Sequence, residues 1–317
     1  MNKRILLRGA LLAALLTAGA TAARGQTVIE LDRGGNVRAK DMDDYKQEQG
    51  FEERLRADSV EYVDHLRRAF NALHADSLDE AERLFNLALK KRPDAPGNYI
   101  VRYNLGRIDL GRGRYREAIG RFDEVLKQRP DLHEVRYDRA VCHMEINSLS
   151  AARTDCERVL EETRDADLKF RTLFLKSAIQ MRSHLPAEAK LTLEEILRLE
   201  PGNEGAALLL AAAYEQMGQP QESLNQLNQF VAAHPQNVDG LAARAELEER
   251  LKMDQLARAD YDSAIRLQPD AAELYVKRAR LLLRLDEKGE ARKDLERAEA
   301  LGYPRQVLNA LYQELRK

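Results

Sequence analysis

The chain has 317 residues, enough for two ordinary globular cores or for one elongated stack of helices. Charged residues make up 33% of it and aromatic residues 6%, with no Trp, and helix-forming residue types dominate, which predicts an all-α protein. The formal net charge falls from -2 to -6 when the four basic residues of positions 1–25 are removed. Such an acidic body lacks the basic surface that binds a phosphate backbone, so nucleic acid is not an expected partner.

Residues 1–25 have the pattern of a signal peptide. A basic start (Lys3, Arg4 and Arg8) precedes an apolar stretch over residues 10–20, and small residues suited to cleavage follow. A retained membrane anchor is the alternative, although the stretch is short for a span, which needs about 20 residues. We therefore expect export to the periplasm, or secretion, with cleavage of the signal and no membrane insertion afterwards.

Residues 26–58 are polar and mixed in charge. Gly34 and Gly35 are adjacent there, and acidic residues cluster at positions 41, 43 and 44. We interpret this segment as a polar leader and expect the stretch from Phe51 to Leu55 to run into the first helix.

A repeat of 34 to 37 residues organises the rest of the chain. Small residues recur at spacings of 37, 34, 37, 34, 34 and 34, namely Ala81, Ala118, Ala152, Ala189, Ser223, Ala257 and Ala291. Another small residue lies 12 positions before each of them, an apolar residue lies four positions after each, and proline lies 12 positions after five of them. Because three of these registers agree in all seven units, we predict seven copies of one structural unit.

Each register has a physical reason. Two antiparallel helices approach closely only where both present small side chains, which accounts for the paired small residues. The apolar residue one turn later fills the gap toward the neighbouring hairpin. Proline lacks an N–H group and clashes with the preceding turn, so it ends the second helix. Each unit is therefore predicted to be a helical hairpin.

These residues resemble the tetratricopeptide repeat family. The resemblance is clearest from Tyr103-Asn104-Leu105-Gly106, through Tyr115-Arg116-Glu117-Ala118-Ile119, to Pro130. It implies an all-α fold, a right-handed α-solenoid of about seven hairpins. In the family's 34-residue frame the predicted repeats are 62–95, 99–132, 133–166, 170–203, 204–237, 238–271 and 272–305.

A capping helix is predicted over residues 306–317. Val307, Leu308, Leu311 and Leu315 give this segment one apolar face, and Pro304 suits the turn before it. A stack of hairpins needs such a cap, because its last hairpin would otherwise expose a hydrophobic surface.

No pattern in the chain indicates catalysis. The six His residues are scattered, and none has a metal-ligand spacing. There is no phosphate-binding loop, dinucleotide motif or nucleophile elbow. We therefore expect no cofactor, no metal site and no enzymatic activity.

Cys142 and Cys156 fall on the two helices of one predicted hairpin. In an oxidising compartment they could form a disulfide. The alternative is a pair of buried thiols, because Cys156 occupies a core register that holds Phe, Leu or Tyr in other repeats. The sequence leaves both open.

The family resemblance implies a concave face lined by the first helix of each hairpin, where a protein or peptide partner binds. The fifth position of the frame points into it and is aromatic in three consecutive repeats, at Tyr103, Tyr137 and Phe174. Arg107 and Arg171 lie close to these aromatic positions. We predict these five residues as the partner-binding surface. Packing alone could also explain the tyrosines.

The predicted function is that of a non-catalytic scaffold, binding envelope or periplasmic proteins through the concave face. The alternative is a glycan- or small-ligand-binding module of an uptake or secretion system, because aromatic side chains also stack on sugars. Family members that clamp an acidic C-terminus place basic residues where this chain has Glu134 and Asp138, so that mode is not expected. The oligomeric state is left open.

Overall fold

The protein is described by a computed structural model over residues 60–316. The chain in this range forms 15 helices and no strand. The helices are α1 (Val60–His74), α2 (Leu78–Lys91), α3 (Asn98–Gly111), α4 (Tyr115–Gln128), α5 (His133–Glu145), α6 (Leu149–Glu162), α7 (Ala166–Arg182), α8 (Pro186–Leu199), α9 (Glu204–Gln216), α10 (Pro220–Ala233), α11 (Val238–Arg250), α12 (Asp254–Leu267), α13 (Ala272–Arg284), α14 (Lys288–Ala300) and α15 (Arg305–Glu314). The predicted all-α architecture of helical hairpins is confirmed.

The predicted signal peptide (1–25) and polar leader (26–58) lie outside the described residues. Within residues 60–316, every helix is too short or too polar to cross a membrane.

The same turn joins the two helices at seven places. One residue in each turn has a left-handed backbone with φ between 54° and 72°: Asp76, Gly113, Asn147, His184, Gly218, Lys252 and Asp286. Their spacings of 37, 34, 37, 34, 34 and 34 repeat those of the small residues. Because this backbone reverses the chain after the first helix, it fixes the hairpin geometry in each repeat.

The chain divides into two compact units after Leu185. In the first unit, α1–α2, α3–α4 and α5–α6 form hairpins, and α7 packs on α6. The paired small residues are fully buried where the hairpin helices meet, as in Ala69 with Ala81 and Ala140 with Ala152. In the third pair, Gly106 lies against the ring of Phe122. Successive hairpins bury an apolar core between them.

The two longer repeat junctions have different structures. Asn98, in the first, is 1% exposed, donates to the carbonyl oxygens of Arg92 (2.7 Å) and Pro93 (2.9 Å), and accepts from the Tyr62 hydroxyl (3.0 Å). In the second, the extra residues lengthen α7, which begins four residues before the predicted start of its repeat at 170. The Asp165 side chain caps that early start by accepting from the N–H groups of Asp167 and Leu168.

The second unit contains α8, the hairpins α9–α10, α11–α12 and α13–α14, and α15. Where residues 306–317 were predicted to cap the stack, α15 packs on α13 and α14 and buries Leu308, Leu311 and Leu315. Val307 departs from the predicted apolar face, because it is 52% exposed. The buried leucines follow the i, i+3, i+7 spacing of one helix stripe, and Val307 is one residue off it.

An arginine clip recurs in both units. Arg139 on α5 donates to both carboxylate oxygens of Asp155 on α6, at 2.9 and 2.6 Å, and to Asp123 on α4, at 2.6 Å. Arg278 repeats the geometry with Asp294 and Asp262, and Arg244 repeats it with Asp260 and Asn228. Each guanidinium therefore ties its own hairpin to the second helix of the preceding hairpin. The partners all lie 16 positions before or after the arginine, a signal that the sequence contains.

Candidate functional site

The predicted partner-binding residues lie on the first helices of successive hairpins in the first unit. Helix α5 packs against both α3 and α7, so these three helices form one continuous surface. We call it the α3–α5–α7 face. Its residues are Tyr103, Asn104 and Arg107 from α3, Glu134, Tyr137 and Asp138 from α5, and Arg171 and Phe174 from α7.

Two of the three predicted aromatic residues are buried. Tyr103 is 3% exposed, and its ring lies 6.1 Å from that of Phe122 in the core of the α3–α4 hairpin. Phe174 is 9% exposed and makes an edge-to-face contact with Phe170 at 5.2 Å. Tyr137 is half-buried. The face thus does not present three open rings, and Tyr137 is the aromatic residue that a partner reaches most readily.

Ion pairs join the predicted arginines to acidic residues of α5. The Arg171 guanidinium donates to Glu134 at 2.5 Å, and its carbon atom Cζ lies 4.8 Å from the centre of the Tyr137 ring. Arg107 Nε lies 3.5 Å from Asp138 Oδ2, and Arg107 Cζ lies 5.5 Å from the centre of the Tyr103 ring. Each guanidinium therefore combines a carboxylate with an aromatic ring.

The electrostatics of the face follow from burial. Burial raises the pKa of Asp138 above its ordinary value, against the opposing effect of Arg107. Burial also raises the pKa of Tyr137, so this hydroxyl stays protonated and can donate. For Arg171, burial opposes the charge, but Glu134 and Tyr137 raise its pKa. Two cations and two anions thus meet on a surface without net charge.

Glu134 and Asp138 had entered the sequence argument only as charges that would repel an acidic tail. The structure gives them a positive role, because each pairs with a predicted arginine of a neighbouring first helix. A spacing signal was present, since Glu134 lies 37 residues before Arg171. That is the length of one repeat step.

The comparisons with known proteins agree with this architecture. Two family models described as tetratricopeptide repeat match the chain, one at residues 103–167 and 255–305 and the other at 72–131 and 181–247. Together they span more than half of the sequence. The chain belongs to the tetratricopeptide repeat family. Proteins of this family generally mediate protein–protein interactions.

Solved tetratricopeptide structures show the same fold. A tetratricopeptide repeat protein from Parabacteroides merdae is 23% identical, with a TM-score of 0.65 over 82% of this chain and 100% of its own. The pilF protein of Pseudomonas aeruginosa is 16% identical, with a TM-score of 0.50 over 66% of this chain and 92% of its own. A search of curated proteins finds no match. At these identities the likeness concerns the fold alone.

The two cysteines of this tetratricopeptide chain are free, buried thiols in the structure. Cys142 packs with Phe122 and Val135, on the side of α5 toward α3 and α4. Cys156 packs with Ala152 and Ile179, in a separate cluster. Burial raises the pKa of both thiols, which keeps them protonated and unreactive.

Metal binding has no candidate site in the described part of the chain. Within residues 60–316, His, Cys, Asp and Glu side chains nowhere gather in threes with a geometry that would hold an ion. The polar groups of the α3–α5–α7 face can donate and accept hydrogen bonds, and its rings can contact apolar groups. Those are the properties of a recognition surface.

Proposed function

We propose that the protein is a non-catalytic interaction scaffold, and that it binds a segment of a partner protein on the α3–α5–α7 face. The observation that carries the proposal is the chain of contacts from Arg107 and Asp138 to Glu134, Arg171 and Tyr137. These groups lie on neighbouring first helices and are held by ion pairs before any partner arrives. Such preorganisation lowers the entropic cost of binding.

The absence of net charge on this face bears on the kind of partner. Arg107 is neutralised by Asp138, and Arg171 by Glu134. A strongly acidic or strongly basic segment would gain from one charge of each pair and be repelled by the other. A polar, uncharged segment with an apolar or aromatic side chain against Tyr137 fits better.

A glycan-binding module is the alternative function, and the geometry supports it less. Sugar rings stack on exposed aromatic faces, whereas Tyr103 and Phe174 are buried and Arg171 lies against the ring of Tyr137. Thermal-shift measurements with a panel of glycans separate the two functions. A glycan at saturating concentration would raise the melting temperature without a protein partner.

Export to the periplasm, or secretion, is part of the proposal and rests on the pattern of residues 1–25. Expression of the full chain followed by fractionation and N-terminal sequencing tests it. We expect a soluble periplasmic product that lacks the basic start and the apolar stretch. Recovery of the uncleaved chain in the cytoplasm or membrane fraction would contradict it.

The binding surface is tested with a charge-neutral pair of substitutions. In Glu134→Gln/Arg171→Met, both members of one ion pair are removed, so no unpaired charge remains buried. The matched control is Glu80→Gln/Arg83→Met, an exposed ion pair on α2, a second helix outside the face. We expect the first variant to lose partners that the mature protein captures from envelope extract, and the control to keep them. Equal capture by both variants would refute binding at this face.

A further inference from the structure

Three polar atoms on the α3–α5–α7 face have no hydrogen-bond partner within the described chain. They are Asn104 Oδ1, Arg107 Nε and Asp138 Oδ2. Their residues are 1%, 7% and 7% exposed. Buried polar groups are normally hydrogen-bonded, and an unsatisfied one costs roughly 1–3 kcal/mol. Three of them together mark a place where the fold leaves hydrogen-bonding capacity unused.

These atoms are close neighbours. Asn104 and Arg107 are three residues apart on α3, so their side chains point to the same side of the helix. Arg107 Nε is 3.5 Å from Asp138 Oδ2, where the two charges attract but form no hydrogen bond. The ion pair keeps the two side chains beside each other across α3 and α5.

The hydrogen-bonding role of each atom is fixed. The Asn104 amide nitrogen donates to the carbonyl oxygen of Ile100 at 2.9 Å, so its Oδ1 is the atom left over, and it accepts. The Asp138 oxygen also accepts, whereas Arg107 Nε can only donate. The unused set therefore consists of two acceptors and one donor.

The complementary ligand group has two donors and one acceptor. A primary carboxamide, the side-chain group of Asn and Gln, has two N–H donors and one carbonyl oxygen. A carboxylate offers no donor and would be repelled by Asp138. An ammonium group offers no acceptor and would be repelled by Arg107. The paired charges of Arg107 and Asp138 leave the site neutral, which also favours an uncharged ligand.

We propose that Asn104, Arg107 and Asp138 form a subsite for the carboxamide side chain of an Asn or Gln residue in the partner segment. The carboxamide donates its two N–H groups to Asn104 Oδ1 and Asp138 Oδ2 and accepts from Arg107 Nε. Tyr137 contacts the neighbouring part of the segment. This subsite rests on the proposed function and gives it sequence specificity.

A random peptide display library, selected on the mature protein, provides the probe. We expect the bound peptides to share an Asn or Gln at one position. In synthetic versions of them, Asn→Ala or Gln→Ala at that position should weaken binding about 10- to 100-fold, the cost of leaving buried partners unpaired. Asn→Asp or Gln→Glu should weaken it at least as much, because the new carboxylate faces Asp138.

Backbone recognition is separated by a third set of peptides. Replacing single backbone amides by esters removes one N–H group and leaves the side chains unchanged. Loss of binding in the ester series, with Asn→Ala or Gln→Ala tolerated, would overturn the carboxamide subsite in favour of backbone binding. Selected peptides with no shared Asn or Gln would overturn it as well.

Protein variants distinguish this subsite from the proposed function. Asp138→Asn replaces one acceptor oxygen by an amide and should cut the affinity for carboxamide peptides about tenfold, while circular dichroism confirms that the variant folds. If peptides compete at the face and Glu134→Gln/Arg171→Met abolishes binding, but no carboxamide preference exists, the subsite fails and the scaffold function stands. If every selected peptide ignores both variants, both proposals fail. The peptide substitutions need no protein variant, so misfolding of Asp138→Asn leaves the test intact.

Discussion

One glycine determines how closely α3 and α4 pack. A Cβ atom on Gly106 would lie 2.5 Å from the Phe122 ring, closer than such contacts allow, whereas a Cβ on Gly120 of α4 would meet nothing within 4 Å. The repeat pattern identifies the small residue at 106. It does not show that even a methyl group is too large there.

Gly106→Ala and Gly120→Ala are therefore expected to have opposite effects. Gly106→Ala should lower the free energy of unfolding by about 1–3 kcal/mol, because the Phe122 ring must move. Gly120→Ala should raise it by about 0.5–1 kcal/mol, since alanine costs less entropy in an exposed helix. Urea unfolding followed by circular dichroism measures both. Destabilisation of equal size in the two variants would show that close packing at 106 is unimportant.

The left-handed turn residues provide a second comparison at this scale. Lys252 has φ 64°, a backbone that costs an L-residue about 1–2 kcal/mol, whereas Gly218 occupies the equivalent turn of the preceding repeat at φ 71°. Lys252→Gly should raise the melting temperature, and Gly218→Ala should lower it. A Cβ at Gly218 meets no atom within 4 Å, so its effect reports backbone strain alone. Unchanged melting of Lys252→Gly would indicate that the strain is relieved elsewhere.

The arginine clip operates at the scale of the helical elements. Asp155 is 4% exposed and shares its two oxygens with Arg139, so Arg139→Leu leaves a buried carboxylate without its partner. We expect Arg139→Leu alone to cost about 3–5 kcal/mol, and the double variant Arg139→Leu/Asp155→Leu to recover most of that loss. A double-mutant cycle in chemical unfolding measures the difference. Additive losses would contradict the clip.

A buried carboxyl on α11 makes stability depend on pH. Burial and the nearby Asp260 raise the pKa of Glu248 to about 7, against the opposing effect of Arg244. A raised carboxyl pKa means that the folded state holds a proton that the unfolded state releases. Stability contributed by this group is thus present at low pH and declines as pH rises from about 4.5 to about 7.

Glu248→Gln removes that titration. We expect the variant to unfold at a higher temperature than the unmodified protein at pH 8, with the gap closing as pH falls to 5. Its size should be at most about 3 kcal/mol, as the shift in pKa implies. Glu222→Gln, at an exposed position on α10, is the control and should show no such pH-dependent gap. A gap that stays constant with pH would contradict the assignment.

At the scale of the whole molecule, periodicity accounts for what the sequence could predict. Paired small residues and helix-ending prolines report contacts that every repeat makes, so they identified the hairpins and their spacing. The α3–α5–α7 face was harder to predict, because its properties depend on which side chains meet between repeats. Tyr103 occupies a position that points toward a partner in the family frame, yet it packs on Phe122. Asp138 and Glu134 required coordinates to be recognised as partners of Arg107 and Arg171.

The repeat architecture also predicts how far a local defect spreads. Helices with appreciable contact are consecutive in the chain or separated by one helix, so each hairpin is stabilised by its immediate neighbours. We expect Gly106→Ala to accelerate amide hydrogen exchange in α3, α4 and the helices next to them, while α13, α14 and α15 keep the protection of the unmodified protein. Mass-spectrometric exchange on both proteins measures this. Faster exchange along the whole chain would mean that the repeats unfold as one cooperative unit, with every hairpin sharing the cost of a single displaced ring.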